Sequence, residues 1–172
     1  MAPLWMVGSY LESQYFTTLP KPTKSFTGKT NVVTGANSGL GLEASRQIVG
    51  LGAACVILTV RSLERGRNAE NSIRKSIGVT DCTIELWELD MCIYASVMAF
   101  AERAKTLDQL DVVVENAGIN RSEFSLAEDE MVITVNFIST MFLGLLLLPM
   151  LRETSVKLGT EVVLTFVGIH MH

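Results

Sequence analysis

Histidine and cysteine are scarce in this sequence, and neither has the spacing of a metal site or a disulfide framework. The 172 residues include two histidines, His170 and His172, and three cysteines, Cys55, Cys82 and Cys92. An odd number of cysteines without CxxC spacing is typical of reduced intracellular thiols. We therefore expect no bound metal and a cytoplasmic location, and we interpret the two histidines as tail residues.

Positive charge is not in excess either. There are 14 Lys and Arg against 18 Asp and Glu, giving a net charge of −4, and there is no long run of one sign. Nucleic-acid binding depends on basic side chains that neutralise phosphates, so we expect no nucleic-acid partner. Residues 1–16 lack the basic region and cleavage site of a secretory signal. We interpret residues 1–26 as an N-terminal arm on a domain of residues 27–172.

One stretch, residues 131–151, has no charged residue at all. Its length would suffice to cross a membrane. However, Thr134, Asn136 and Pro149 interrupt it, and a central helix of an α/β protein can be apolar nearly all round. We interpret it as a buried helix and not as a membrane span. Ser125 and Glu128 form an SxxE pattern that predicts a capping box at the head of this helix.

Short runs rich in β-branched residues alternate with segments of helical length. Leu40, Ala44 and Ile48 recur at helical spacing after the first run. The alternation predicts a Rossmann-like α/β fold, a doubly wound parallel sheet of about five strands with four helices. In this fold, ligands bind beyond the carboxyl ends of the strands. The predicted strands are residues 31–33, 53–60, 82–89, 110–115 and 160–167.

The first predicted strand leads into TGANSGLG, residues 34–41, and then into a helix. A dinucleotide pyrophosphate needs a tight turn, a bare backbone that it can approach, and a helix N-terminus that favours negative charge. An ordinary turn is the alternative, but the flanking strand and helix favour a nucleotide site. The candidate cofactor-binding residues of this loop are Gly35, Asn37, Ser38, Gly39, Leu40 and Gly41.

The GxxxGxG spacing of this loop resembles the short-chain dehydrogenase/reductase family. Three further matches follow in order: Asp90 in ELDM, NAG at residues 116–118, and Asn136 in the apolar helix. The resemblance covers about residues 26–164, and residues 22–44 especially resemble fungal members that act in secondary metabolism. It implies that Asp90 contacts adenine, that Asn116 lies at the cofactor, and that Asn136 has a supporting catalytic role.

Each of these three residues also has a structural interpretation. Asp90 could cap the helix that follows it, and Asn116 could simply tie a turn. Asn136 is different, because a lone amide in an uncharged run would be costly to bury without a partner, which favours a site there.

The end of the second strand indicates the cofactor. An NAD enzyme usually places a carboxylate there, whereas this chain has Thr59, Val60 and Arg61. A guanidinium can pair with the 2′-phosphate, so the sequence favours NADP. The alternative is that Arg61 is a solvated residue ahead of a helix that Ser62 opens.

The resemblance implies that a tyrosine and a lysine four residues later, in the pattern YxxxK, carry out proton transfer. These residues are not found. The three tyrosines are followed four positions later by Gln14, Leu19 and Met98, so no YxxxK is present. Phe166 falls where the family has the serine that polarises the substrate, and the alternative donor is the neighbouring Thr165. Glu115 is a second departure, because the family usually has a neutral residue there. We expect a fold interrupted near residue 166, with an apolar edge strand and helix face that invite self-association.

The leading hypothesis is an NADP(H)-dependent short-chain oxidoreductase of secondary metabolism. It would act on an alcohol or ketone group of a small molecule, and its proton-transfer part is absent from these 172 residues. The alternative is a noncatalytic half domain that binds a nucleotide or a partner.

Overall fold

The computed structural model describes residues 22–78, 81–120, 124–127 and 129–168. In this described part of the chain, five strands and four long helices alternate, as predicted. The elements are β1 (Thr30–Val33), α1 (Gly39–Gly50), β2 (Cys55–Val60), α2 (Leu63–Ile77), β3 (Thr83–Glu88), α3 (Tyr94–Ala104), β4 (Val112–Glu115), α4 (Met131–Leu158) and β5 (Val163–Phe166).

The strands form one parallel sheet in the order β3-β2-β1-β4-β5. In register, Val32 of β1 lies between Ile57 of β2 and Val113 of β4. The chain moves outward from β1 to β3 and then returns to β4 on the other side of β1. This reversal parts the loops that follow β1 and β4, which opens a crevice at their carboxyl ends. The doubly wound prediction is confirmed.

Each face of the sheet is covered by two helices. Successive side chains of a strand alternate between the faces, so each strand contributes to both cores. Val32, Ile57 and Val113 belong to the core shared with α3 and α4. Val33 and Leu58 belong to the core under α1 and α2. Apolar residues on both faces explain why these strands appear in the sequence as nearly continuous hydrophobic runs. The helix prediction for α1 holds, although Leu40 points into solvent with 69% of its surface exposed.

Helix α4 begins at Met131, and its cap differs from the predicted one. The Glu130 carboxylate accepts a hydrogen bond from the backbone N–H of Ile133 at 2.9 Å. Ser125 lies six residues before the helix, so the SxxE capping prediction is wrong; Glu128 is outside the described residues. Glu130 satisfies the helix terminus instead, because its carboxylate stands at the N-cap.

Most of α4 is an ordinary helix, but residues Thr134–Ser139 form a π-helical turn. The Thr140 hydroxyl donates to the Val135 carbonyl, five residues earlier, at 2.9 Å. Leu143, Leu147 and Leu151 are buried against the sheet. By length and composition α4 is also the one helix in the described residues that could cross a membrane, with 39% of its most apolar window buried.

Strand β5 pairs with β4 along one side, and no strand among the described residues pairs with its other side. The Phe166 ring packs on Gly144 of α4, where a β-carbon would lie 3.2 Å from the ring. The apolar edge expected from the sequence is therefore present. The first 21 residues of the predicted arm, and both histidines of the predicted tail, lie outside the described residues.

Candidate functional site

A cavity of about 300 Å³ opens at the carboxyl ends of β1, β2 and β4. It lies in the crevice that the reversal of strand order creates. Of the predicted site residues, the cavity is lined by Gly35, Asn37, Ser38, Arg61, Asp90 and Asn116. Thr59 and Val60 at the end of β2, and Ala117 and Gly118 of the NAG motif, also line it. The remaining residues of its wall were not singled out as site residues from the sequence, and they are Arg65, Leu89, Met91, Cys92, Ile119 and Val135.

The glycine loop has the backbone geometry that only glycine adopts easily. Gly35 and Gly39 have φ angles of 63° and 56°. A β-carbon on Gly35 would lie 2.9 Å from the Cα of Ala117, so the close approach of the two loops also requires glycine. Ser38 begins α1 without a side-chain cap, and the first turn has no acidic residue. The backbone N–H groups of this helix end are therefore available to an anion.

Three residues of the predicted loop do not line the cavity: Gly39, Leu40 and Gly41. Gly41 is buried behind the loop, where a β-carbon would lie 2.5 Å from the carbonyl oxygen of Gly35 and would also collide with the Asn116 side chain. Its role in the structure is close packing of α1 against the loop. Leu40 contributes backbone to the helix start while its side chain is solvent-exposed.

Asn116 joins the ends of β1 and β4. Its side-chain amide donates to the carbonyl of Thr34 at 3.0 Å. The Thr34 hydroxyl in turn accepts the backbone N–H groups of Asn116 and Ala117 at 2.8 and 2.9 Å. Asn116 thus both ties a turn, as one interpretation proposed, and lines the cavity. Sequence reasoning missed Thr34, although it is the first residue of the TGANSGLG motif.

Asp90 forms a turn at the cavity rather than a helix cap. Its Oδ1 accepts the backbone N–H of Cys92 at 2.9 Å, while α3 is capped by Ile93 without a side-chain bond. Asp90 is the one carboxylate among the described lining residues. Its placement is compatible with a contact to a ligand.

Two guanidinium groups, Arg61 and Arg65, line the same side of the cavity. Both residues are exposed, and no ion pair is formed by either of them within the described part of the chain. Ser62 opens α2 as predicted and accepts the backbone N–H of Arg65 at 3.5 Å. Arg65 lies in the first turn of α2, and sequence reasoning missed it.

Asn136 does not line the cavity, although Val135 beside it does. Its Oδ1 accepts the N–H of Ile119 and its Nδ2 donates to the carbonyl of Ile119, both at 2.8 Å. Asn136 is exposed, so the burial cost that favoured a site there does not apply. The paired amide instead fixes the loop after β4, and Ile119 of that loop is part of the cavity wall. The π-helical turn carries Asn136, as such turns often carry functional residues.

Glu115 is a buried acid next to the cavity. Its side chain is 1% exposed, and its Oε2 receives a hydrogen bond from the Thr34 hydroxyl at 3.4 Å. Burial raises the pKa of this carboxyl to about 8, and the bond from Thr34 acts in the opposite direction. Glu115 is therefore predominantly neutral at pH 7.

The residues present fit a dinucleotide. The positive-φ glycines, the uncapped helix end and the two arginines supply a bare backbone and positive charge where a pyrophosphate and a ribose phosphate need them. No tyrosine, lysine or histidine is among the described residues that line the cavity. Of the tyrosines, Tyr94 donates its hydroxyl to Asp129 at 2.7 Å, and Tyr10 and Tyr15 lie outside the described residues. In the described part of the chain, no cluster of three His, Cys, Asp or Glu side chains could hold a metal.

The sequence of residues 29–163 matches the family model described as short chain dehydrogenase. The chain therefore belongs to the short-chain dehydrogenase/reductase family, as the motifs suggested.

Its similarity to fungal members is substantial. The short chain dehydrogenase/reductase dmxR8 of Cryptosporiopsis sp. (strain 8999) is 43% identical over 165 residues, which cover 95% of this chain and 51% of the relative. The short chain dehydrogenase sol3 of Alternaria solani is 40% identical over 172 residues, covering 97% and 59%. The chain thus spans about half the length of the curated relatives it matches.

A solved structure gives the same result for the fold. A metagenomic short-chain oxidoreductase in complex with NADP has a TM-score of 0.61 and 28% sequence identity. The match covers 80% of this chain and 61% of that one.

Proposed function

We propose that this chain is the dinucleotide-binding part of an NADP(H)-dependent short-chain oxidoreductase acting on an alcohol or ketone group of a small molecule. The observation that carries the proposal is the cavity at the strand-order reversal, which is lined by Ser38 at the uncapped start of α1 and by Arg61 and Arg65. The fungal relatives and the resemblance of residues 22–44 support a role in secondary metabolism. Members of the family are typically soluble, which supports a cytoplasmic location.

NADP is favoured over NAD by the charges in the cavity wall. The end of β2 offers Arg61 instead of a carboxylate, and Arg65 adds a second guanidinium one turn into α2. Guanidinium groups bind phosphate oxygens through paired N–H donors, and a 2′-phosphate is the group that distinguishes NADP. Solved structures of this fold carry either NADP or NAD, so the choice depends on these side chains.

Bound cofactor would supply hydride transfer, and the chain's own residues would bind and orient it. The α1 N-terminus and the glycine loop would hold the pyrophosphate, Arg61 and Arg65 the 2′-phosphate, and Asp90 the adenine side. Asn116 would hold the loop after β4 to the end of β1 through its bond to Thr34. Asn136 would hold the same loop through its bonds to Ile119. The 172 residues contain no YxxxK to pass a proton to a carbonyl oxygen.

A direct test is a fluorescence titration of the 172-residue chain with NADPH and with NADH. We expect saturable binding of NADPH, with an affinity about tenfold or more above that of NADH, because a charge-assisted phosphate contact contributes about 1.5–3 kcal/mol. Equal affinities would refute the choice of NADP, and no binding of either nucleotide would refute the proposal.

The absence of YxxxK also supports a second candidate, a noncatalytic half domain that binds a nucleotide or a partner. An assay of carbonyl reduction with NADPH separates the two candidates. Turnover by the purified chain would exclude the noncatalytic candidate and would show that the missing tyrosine is dispensable.

A further inference from the structure

Glu115 is a buried acid that the proposed dinucleotide site leaves without a role. It stands at the end of β4, immediately before Asn116 and Ala117 of the cavity wall. Its Oε1 has no hydrogen-bond partner among the described residues. A carboxylate in this position would be costly, because a buried charge without a counterion loses its hydration. The neutral acid avoids most of that cost.

The carboxyl is connected to the cavity wall through one hydroxyl. Thr34 Oγ1 lies 3.4 Å from Glu115 Oε2 and accepts the N–H groups of Asn116 and Ala117. A hydroxyl has one hydrogen and two lone pairs. When its hydrogen points to Glu115, both lone pairs remain for the two amides. The Val114 carbonyl, also 3.4 Å away, competes for the same hydrogen, so the state of Glu115 influences how Thr34 is oriented.

Among the described residues, no charged group compensates Glu115 from the elements packed around it. Thr34 on β1 and Phe166, its register partner on β5, do not titrate. On the face that Glu115 shares with Val113, residues 131–151 of α4 contain no titratable side chain. The titratable residues of α3 are Tyr94, which bonds Asp129, and Glu102 and Arg103, which are exposed. Burial is accordingly the main cause of the raised pKa, which is about 8.

We propose that Glu115 is a positioning residue that couples a proton to dinucleotide binding, because the neutral acid places no charge behind the wall formed by Asn116 and Ala117, whereas the carboxylate would place an uncompensated negative charge there. This inference rests on the proposed function. A bound dinucleotide brings negative phosphates near the cavity and displaces water from it, and both effects disfavour a neighbouring carboxylate. Binding therefore favours the protonated form, and affinity falls once the pH exceeds the pKa of the free protein.

The test is a fluorescence titration with NADPH across about pH 6.5 to 9.5 on the full 172-residue chain. We expect the Kd of the wild type to be nearly constant at low pH and to rise above about pH 8, by up to roughly tenfold per pH unit. Glu115→Gln keeps the shape but cannot ionise, so its Kd should not show this rise. Glu85→Gln is the matched control, because it makes the same change on β3, away from the cavity, and it should follow the wild type. All three chains keep Asp90 and Cys92 of the wall.

An unfolding experiment gives a second readout that needs no nucleotide. The folded protein retains a proton on Glu115 up to about pH 8, whereas an ordinary Glu loses it near 4.5. Stability from the neutral acid is therefore complete below about pH 4.5 and is lost as the pH rises to about 8. Relative to Glu115→Gln, the folding constant of the wild type should fall by up to about tenfold per pH unit in that window.

Thr34 provides the test if Glu115→Gln does not fold. Thr34→Ser keeps the hydroxyl that donates to Glu115 and should retain the rise in Kd at the same pH. Thr34→Val removes this hydroxyl, whose bond favours the carboxylate, and should move the rise in Kd to higher pH. Identical pH profiles in the wild type and Glu115→Gln, or in the Thr34 pair, would overturn the inference alone. Failure of the wild type to bind NADPH at any pH would overturn both the inference and the proposed function.

Discussion

At the scale of single residues, the chemistry of the site depends on a few side chains whose neighbours decide their state. Arg61 and Arg65 keep their charge available because no carboxylate pairs with them in the described residues. Glu115 loses its charge because burial raises its pKa. By contrast, Arg74 is paired with Glu70 on the surface of α2.

Arg61→Asp should shift nucleotide preference from NADPH toward NADH. The substitution removes a phosphate partner and adds a carboxylate that repels the 2′-phosphate and can bind ribose hydroxyls. We expect NADPH affinity to fall by about tenfold or more, with NADH affinity kept or improved. Paired titrations measure the ratio. Arg67→Asp, an equal charge change at an exposed position of α2 outside the cavity wall, should leave it unchanged; an unchanged ratio in Arg61→Asp would refute the assignment.

The candidate residues were largely identifiable from the sequence because their motif has a local physical cause. Gly35 and Gly39 have positive φ angles, which other residues rarely adopt, so the loop requires glycine at these positions. Thr34 and Arg65 were missed because their importance comes from partners that are distant in sequence or from exposure at the cavity. The Asn136 argument used the apolar neighbours in the sequence and assumed burial, whereas the residue is exposed.

At the scale of elements, helix α4 and the loop before β4 hold each other in place. The buried hydroxyl of Thr154 on α4 accepts the backbone N–H of Leu110 at 2.9 Å. Leu110 is fully buried, so that N–H has no access to solvent. This bond fixes where β4 starts, and β4 ends at the cavity.

Thr154→Val should destabilise the fold by about 1–3 kcal/mol. Valine has a similar shape, so the main change is the loss of the acceptor for a buried N–H group. Urea denaturation measures the free energy of unfolding. Thr106→Val is the matched control, because its hydroxyl is exposed and donates to the Arg103 carbonyl, and we expect a change within about 0.5 kcal/mol. Equal losses in the two variants would contradict the role of the buried bond.

Element boundaries show where local signals were ambiguous. The strands and helices were found because their side-chain periods differ. The cap of α4 was predicted wrongly because Ser125 and Glu128 match the capping-box spacing, whereas the fold uses Glu130 as the N-cap. The π-helical turn has no sequence signal that we recognised, since it depends on how α4 packs against the sheet.

At the scale of the whole molecule, apolar surface remains on one side. No strand among the described residues pairs with the outer side of β5, and α4 exposes Leu145 by 68% and Val156 by 86%. Exposed apolar side chains and an unpaired strand edge both favour association. An exposed edge can pair with the same edge of another copy through backbone hydrogen bonds, so a second copy of this chain is the partner we propose for it.

Leu145→Lys should therefore reduce self-association. A charge at this exposed position of α4 would have to be buried on dimerisation, which is costly. Light scattering after gel filtration should show an oligomer for the wild type and a larger monomer fraction for the variant. Ile77→Lys, at the end of α2 on the opposite face of the sheet, should behave as the wild type does. A wild type that stays monomeric at high concentration would refute the proposal.

The sequence by itself determined the order of elements, the doubly wound sheet, the glycine loop and the family, because each depends on short-range periodicity or on a backbone conformation that one residue type permits. The tertiary structure decided which of those residues share the cavity, how Thr34 links β1 to β4, and that Glu115 is buried beside it. These properties arise between residues that lie some 80 positions apart in the chain. Burial and electrostatic environment come from such distant neighbours, and a linear pattern does not contain them.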